Sequence, residues 1–260
     1  MSSAKVLQLF AAGVNCDREL RFAWEQAGAE VEECHIRELM AKPAKVLECD
    51  LFSIPGGFTY GDDLGAGRVL GLEVAAFLGE QLRALHQAGG SLFGVCNGFQ
   101  ALVRTGLLPD LEGVSVSLAW NVHHRFECRW SRLRVEAGLA QVLPEGSLLP
   151  ACTAHAEGQL VVASPEDLIR LEQNRRIAFR YADAAGEVSE SYPDCPNGSA
   201  GGIAGLVSAS GRILGLMPHP ERNLGPFSLP DGGAGAWGTG EEGMAFFRAL
   251  LAPYLGSVQV

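Results

Sequence analysis

Ser91-Leu92-Phe93-Gly94-Val95-Cys96-Asn97-Gly98-Phe99-Gln100 joins a short apolar run to the start of a helical pattern. Residues 91–95 read as a buried strand and 98–105 as a helix directly behind it. Between them stands G-x-C-x-G, a strand–turn–helix elbow with cysteine where many hydrolases carry serine. The glycines have a steric task, because the turn brings backbones so close that a Cβ at Gly94 or Gly98 would clash. Such a turn pushes Cys96 out at the carboxyl end of its strand, where open α/β sheets place their ligand crevice. The N-terminus of the following helix favours negative charge there.

Outward from this elbow, apolar runs alternate with helical patterns, as in βαβ units around a parallel sheet. Strands are expected at 5–10, 31–36 and 50–54. A helix is expected over 17–27 with Leu20, Ala23, Trp24 and Ala27 on one face, and another over 68–88 through Val69, Leu72, Ala76, Leu82 and Leu85. The second half is richer in β pattern, with strands expected at 114–119, 125–135, 160–163, 177–181, 203–207 and 213–217. Period-2 alternation there is clearest at Phe126, Cys128 and Trp130. Residues 225–240 are rich in Gly and Pro and read as a long loop, a candidate partner-sensing element around Trp237; a helix over 241–255 closes the chain. The expected fold is α/β, a flavodoxin-like open, mostly parallel sheet flanked by helices, in a single domain over 1–260 with no internal repeat or linker.

Composition narrows the function classes. Of 260 residues 47% are hydrophobic and 19% charged, the opposite of a disordered chain. Twenty Lys and Arg against thirty Asp and Glu give a net charge of −10, and no basic cluster stands out, which argues against nucleic-acid binding. The most apolar long stretch, 84–103, is broken by His86, Gln87, Asn97 and Gln100 and cannot span a bilayer. Residues 6–14 read as a first buried strand rather than a signal-peptide core, since Asp17, Arg18 and Glu19 follow with no cleavage site before them. Seven scattered cysteines without a C-x-x-C pair fit a reducing cytoplasm and no structural zinc. No metal site is expected; adjacent His123 and His124, read as strand neighbours, would face opposite ways, and His35 and His86 read as surface or packing residues.

Two further segments carry chemistry. Met217-Pro218-His219-Pro220-Glu221-Arg222 follows a strand, and the prolines favour extended backbone that puts His219 and Glu221 on one face. With Cys96 they supply nucleophile, base and orienting carboxylate. Pro55-Gly56-Gly57-Phe58 ends another strand, and an amide there, with that of Asn97, would form an oxyanion hole. The order cysteine, then His-x-Glu, differs from the nucleophile–acid–histidine order of α/β-hydrolases and disfavours an esterase.

These residues resemble the triad-type (class I) glutamine amidotransferases, and within them the glutaminase components of phosphoribosylformylglycinamidine synthase from purine biosynthesis. The resemblance spans Pro55 to Asp62, Gly94 to Gln100, Arg125 to Arg129, His155-Ala156-Glu157-Gly158 and Gly215 to Arg222. It implies that Cys96 attacks the glutamine amide to form a thioester, that His219 moves the protons and that Glu221 orients its ring. Gly57 and Asn97 would hold the oxyanion, while Gln100, His155 and Glu157 would line the glutamine pocket. Ammonia would pass to a separate synthetase subunit that converts formylglycinamide ribonucleotide to the amidine. ATP and magnesium would sit on that partner, with no cofactor in this chain, which has no P-loop pattern. Asp63-Leu64-Gly65-Ala66-Gly67 and Tyr192 to Ser199 look more like the fused domain of the long single-chain synthase, leaving open whether a small third subunit takes part. Another amidotransferase with a different acceptor, or a regulatory subunit without activity, are the alternatives; the second should have lost one of Cys96, His219 or Glu221.

Overall fold

The computed structural model describes residues 3–255. Its elements run β1 (Ala4–Phe10), α1 (Asp17–Gln26), β2 (Ala29–His35), α2 (Ile36–Ala41), β3 (Leu51–Ile54), α3 (Arg68–Gln87), β4 (Ser91–Val95) and α4 (Asn97–Arg104). They continue with β5 (Val116–Ala119), β6 (Glu127–Val135), β7 (Leu148–His155), β8 (Gln159–Val162), α5 (Pro165–Gln173), β9 (Ile177–Ala182), β10 (Ile203–Val207), β11 (Ile213–Leu216) and α6 (Glu242–Leu251). Nine strands form one sheet in the order β2-β1-β3-β4-β11-β10-β9-β6-β7, and β5 pairs with β8 apart from it.

The strands from β2 to β11 in that order run parallel. From β11 to β7 every neighbour is antiparallel, which accounts for the β-rich second half. The carboxyl ends of β1, β3, β4 and β11 are therefore adjacent. Four loops leave from that one edge, and those after β3, β4 and β11 each carry a segment that the sequence marks for chemistry.

Both faces of β4 are buried, as expected for a central parallel strand. Phe93 faces α1 and α6, where Trp24 meets it edge-on at 5.3 Å and Phe247 meets Trp24 at 4.7 Å. Trp24 also donates from Nε1 to Ser53 Oγ, so its polar edge is satisfied inside the core. Each such aromatic ring contributes about 1.5–3 kcal/mol through burial. Gly94 faces the other way, against α4. A Cβ there would lie 2.6 Å from Gly98 O, and one on Gly98 only 2.0 Å from Ile54 O. The steric reading of both glycines holds.

Three local expectations change. The buried stripe of α3 is Leu70, Val74, Leu78, Leu82 and Leu85, whereas Leu72 and Ala76 face solvent. On β6 the buried series is Glu127, Ser131, Leu133 and Val135, so Phe126, Cys128 and Trp130 lie on the more exposed face. Polar residues are tolerated inside because they are paired: Ser131 Oγ lies 2.9 Å from Thr153 Oγ1, and Glu127 meets Arg129 at 2.8 Å. His123 and His124 sit on a turn, not a strand, and His124 has φ +51°. Elements α2, β7 and α5 were not expected from the pattern.

Candidate active site

Cys96 occupies the turn between β4 and α4 with φ +52°, a conformation costly for a residue with a Cβ and found where function demands it. Its Sγ is 3.8 Å from the carbonyl of Ala154, at the end of β7. His219 and Glu221 leave the end of β11, and His219 Nδ1 meets Glu221 Oε1 at 2.6 Å. Both are almost wholly buried. Their pairing has a different local cause from the one expected: His219 is extended, but Pro220–Arg222 forms a short 3-10 turn that folds the carboxylate back. The backbone of His219 is pinned by its N–H donating to Cys152 O at 2.8 Å.

Gly56 stands between these groups. A Cβ there would lie 2.8 Å from His219 Cε1 and 3.2 Å from Cys96 Cβ. Burial alone would push the His219 pKa down, but Glu221 and the Cys96 sulfur facing it outweigh that and raise it to about 10. A ring that keeps its proton this firmly sets a positive charge beside the Cys96 sulfur, the setting that favours a thiolate nucleophile.

Gly57 has φ +143°, and a Cβ on it would strike Gly13 O at 2.7 Å, so only glycine fits this backbone. Asn97 is the first residue of α4, so its amide precedes the first helical hydrogen bond. Its side chain ties the loop after β3 to the helix. Oδ1 accepts from Thr59 N, and Nδ2 donates to Asp62 Oδ1 at 3.1 Å and Gln100 Oε1 at 2.9 Å. Gln100 in turn donates to the carbonyl of Glu157, whose carboxylate accepts from Ala66 N at 3.1 Å. Burial pushes the Asp62 carboxyl up, opposed by the N–H donors of Gly67 and Asn97.

A cavity of about 260 Å³ collects these groups, lined by Gly57, Asp62, Cys96, Gln100, His155 and Glu157 among others. A larger one of about 350 Å³, between β6 and Trp237, shares none of them. Every residue expected at the site thus gathers at one sheet edge. Sequence reading missed Thr59, Asp62 and Asn121; the first two lie inside the quoted Pro55–Asp62 string, whereas nothing marked Asn121.

The rear of the site holds a polar cluster. Cys16, Glu19 and His219 each bring one ligand atom within 4.8 Å of the others, the spacing of a metal site. The guanidinium of Arg222 fills that space, 2.8 Å from Glu19 Oε1 and 3.5 Å from Cys16 Sγ, and supplies the positive charge itself. All seven cysteines are free thiols. Among the described residues no helix is long and apolar enough to cross a membrane. The segment from Tyr192 is exposed at its start but buried from Cys195 to Asn197, where Asn197 Nδ2 reaches Gly158 O and Tyr181 OH.

The family model for the CobB/CobQ-like glutamine amidotransferase domain matches residues 3–252. A protein of Dehalococcoides mccartyi named phosphoribosylformylglycinamidine synthase subunit PurQ is 46% identical, over 85% of this chain and 86% of its own. A protein of the same name from Methanococcus maripaludis is 35% identical over 87% and 86%. A solved chain from the structure of PurLQS from Thermotoga maritima superposes with a TM-score of 0.72 at 26% identity, covering 97% of this chain and all of that one. The chain belongs to the CobB/CobQ-like glutamine amidotransferase family.

Proposed function

We propose that this chain is the glutaminase component of a phosphoribosylformylglycinamidine synthase and works through a Cys96–His219–Glu221 triad. The observation that carries the reading is the buried His219–Glu221 pair at 2.6 Å facing Cys96 across Gly56. His219 Nε2 already holds the proton given up by Cys96, and the sulfur attacks the side-chain carboxamide carbon of glutamine as the thiolate. The amides of Gly57 and Asn97 receive the oxyanion. His219 returns the proton to the departing nitrogen, ammonia leaves, and a γ-glutamyl thioester remains on Cys96. Water, deprotonated by His219, then releases glutamate. Glu221 holds the ring so that Nε2 faces the sulfur. Gln100 and Glu157, with His155, bound the pocket around the substrate.

Ammonia passes to a partner synthetase, as the names of the relatives and the PurLQS assembly suggest. There it replaces the amide oxygen of formylglycinamide ribonucleotide, activated by ATP with magnesium on the partner; a small third subunit like the one implied by PurLQS joins the complex. The chain itself acts as one domain without a cofactor, in a reducing cytoplasm that keeps its seven thiols free. Glutamate release from glutamine by wild type and Cys96→Ala, with and without the synthetase and its substrates, tests this. Release should depend on Cys96 and rise when the partner is complete. No release from wild type in the full complex refutes the enzyme reading.

A further inference from the structure

Arg222 ends the short turn that carries Glu221, and its guanidinium reaches the first turn of α1. There Nε and Nη2 both donate to Glu19 Oε1, at 2.9 and 2.8 Å. Two sulfurs complete its surroundings, Cys16 Sγ at 3.5 Å and Cys152 Sγ at 3.7 Å. Burial pushes the pKa of both thiols up, so each is neutral. Burial also works against the charge on Arg222, but its hydrogen bonds to Glu19 and the nearby charge of Glu221 outweigh that. The rear of the site therefore holds four charges: the carboxylates of Glu19 and Glu221, the guanidinium and the protonated His219 ring. Each cation has one carboxylate, Arg222 with Glu19 and His219 with Glu221.

Another pairing is within reach. A carboxylate oxygen of Glu19 and a ring nitrogen of His219 are no more than 4.8 Å apart, about 2 Å beyond hydrogen-bond range. Left unpaired at that distance, Glu19 would compete with Glu221 for the imidazolium. A ring drawn toward Glu19 would turn Nε2 off the Cys96 sulfur. The turn does not depend on Arg222 for its shape. Asn223 N donates to Pro220 O at 2.9 Å, Asn223 Nδ2 donates to Pro150 O at 2.8 Å, and Asn223 is fully buried. We propose that Arg222 is a positioning residue: it holds Glu19 and so keeps that carboxylate from competing with Glu221 for the His219 ring. This rests on the glutaminase reading above. Two N–H groups aimed at one oxygen suit the task, because they fix where Glu19 sits as well as offsetting its charge.

The test compares kcat and KM for glutamine in the complex with the cognate synthetase, for wild type, Arg222→Met, Glu19→Gln and the two together. Arg222→Met frees Glu19 and should lower kcat by about tenfold or more, with little change in KM. Glu19→Gln keeps an oxygen for both N–H groups and should stay within about threefold of wild type. The double variant has neither charge, so Glu221 again has the ring to itself and most of the kcat should return. A mere clasp between the turn and α1 predicts otherwise, since the double variant lacks it as completely as Arg222→Met does. Should Arg222→Met not fold, Arg222→Gln, neutral but polar, takes its place in the same comparison. A folded Arg222 variant with kcat within about threefold of wild type, or a double variant no faster than the single one, overturns the proposal and leaves the triad standing. Wild type that releases no glutamate in the full complex overturns the glutaminase reading as well.

Discussion

Glu221→Gln removes the charge opposite His219 while keeping the size of the side chain. In the wild-type fold the His219 pKa stands at about 10 against an ordinary 6.5, a rise worth about 5 kcal/mol when fully expressed. The protonated ring is the favoured form in the folded state. Its contribution is therefore complete below pH 6.5 and fades as pH climbs through 10. Without the carboxylate, only the Cys96 sulfur is left to oppose burial, and the protonated ring loses its main partner. The variant should lose roughly 3–5 kcal/mol near pH 6, the scale of breaking a buried pair. That gap should close as pH rises through 10. Urea unfolding of both proteins at several pH values measures it. Glutamate release in the complex should fall by about 10⁴-fold, the scale of the Asp→Asn change in Ser-His-Asp triads. A stability gap of equal size at every pH, or hydrolysis within tenfold of wild type, would refute the reasoning.

Other outcomes follow from the same geometry. Gly56→Ala would drive a methyl to 2.8 Å from His219 Cε1 and 3.2 Å from Cys96 Cβ. Glutamate release should fall by tenfold or more, with a stability loss of about 1–3 kcal/mol in thermal unfolding. Gly98→Ala meets backbone rather than side chain, 2.0 Å from Ile54 O, and should cost at least as much stability and lower the yield of folded protein. Residues 225–240 are fastened to β6 by Arg132, which lies over the Trp237 ring at 3.8 Å and donates to Ala236 O. Deleting Ala234 to Gly238 should uncouple glutamine-driven synthesis but spare synthesis from added ammonia; loss of both would count against a partner-sensing loop.

The sheet edge was legible because its signals are local. Gly94 and Gly98 mark close approach, the prolines around His219 fix its backbone, and buried parallel strands read as unbroken apolar runs. What stayed hidden depends on tertiary context. Pro150 interrupts the pattern of β7 although the strand pairs with β6 along its length. The α5 helix carried a start signal that could have been read, since Ser164 caps it, Pro165 opens it, and Glu166 and Asp167 follow. The exposed aromatic series on β6 misleads because paired polar groups occupy its buried face. Asn121 is silent in sequence: its partners, Arg125, His155 and Gly158, meet only after folding.

The insertion of β11 between β4 and β10 has a consequence for synthesis of the chain. The ribosome makes the thiol-bearing elbow first, and His219 emerges more than a hundred residues later. At about 5–20 residues per second that interval lasts roughly 6–25 seconds. Throughout it the nascent chain holds Cys96 without the base of the proposed triad, in a sheet whose central neighbour is still missing. On the proposed triad, glutamine is safe from it until His219 and Glu221 have been made, so a product truncated before them cannot waste the cell's nitrogen.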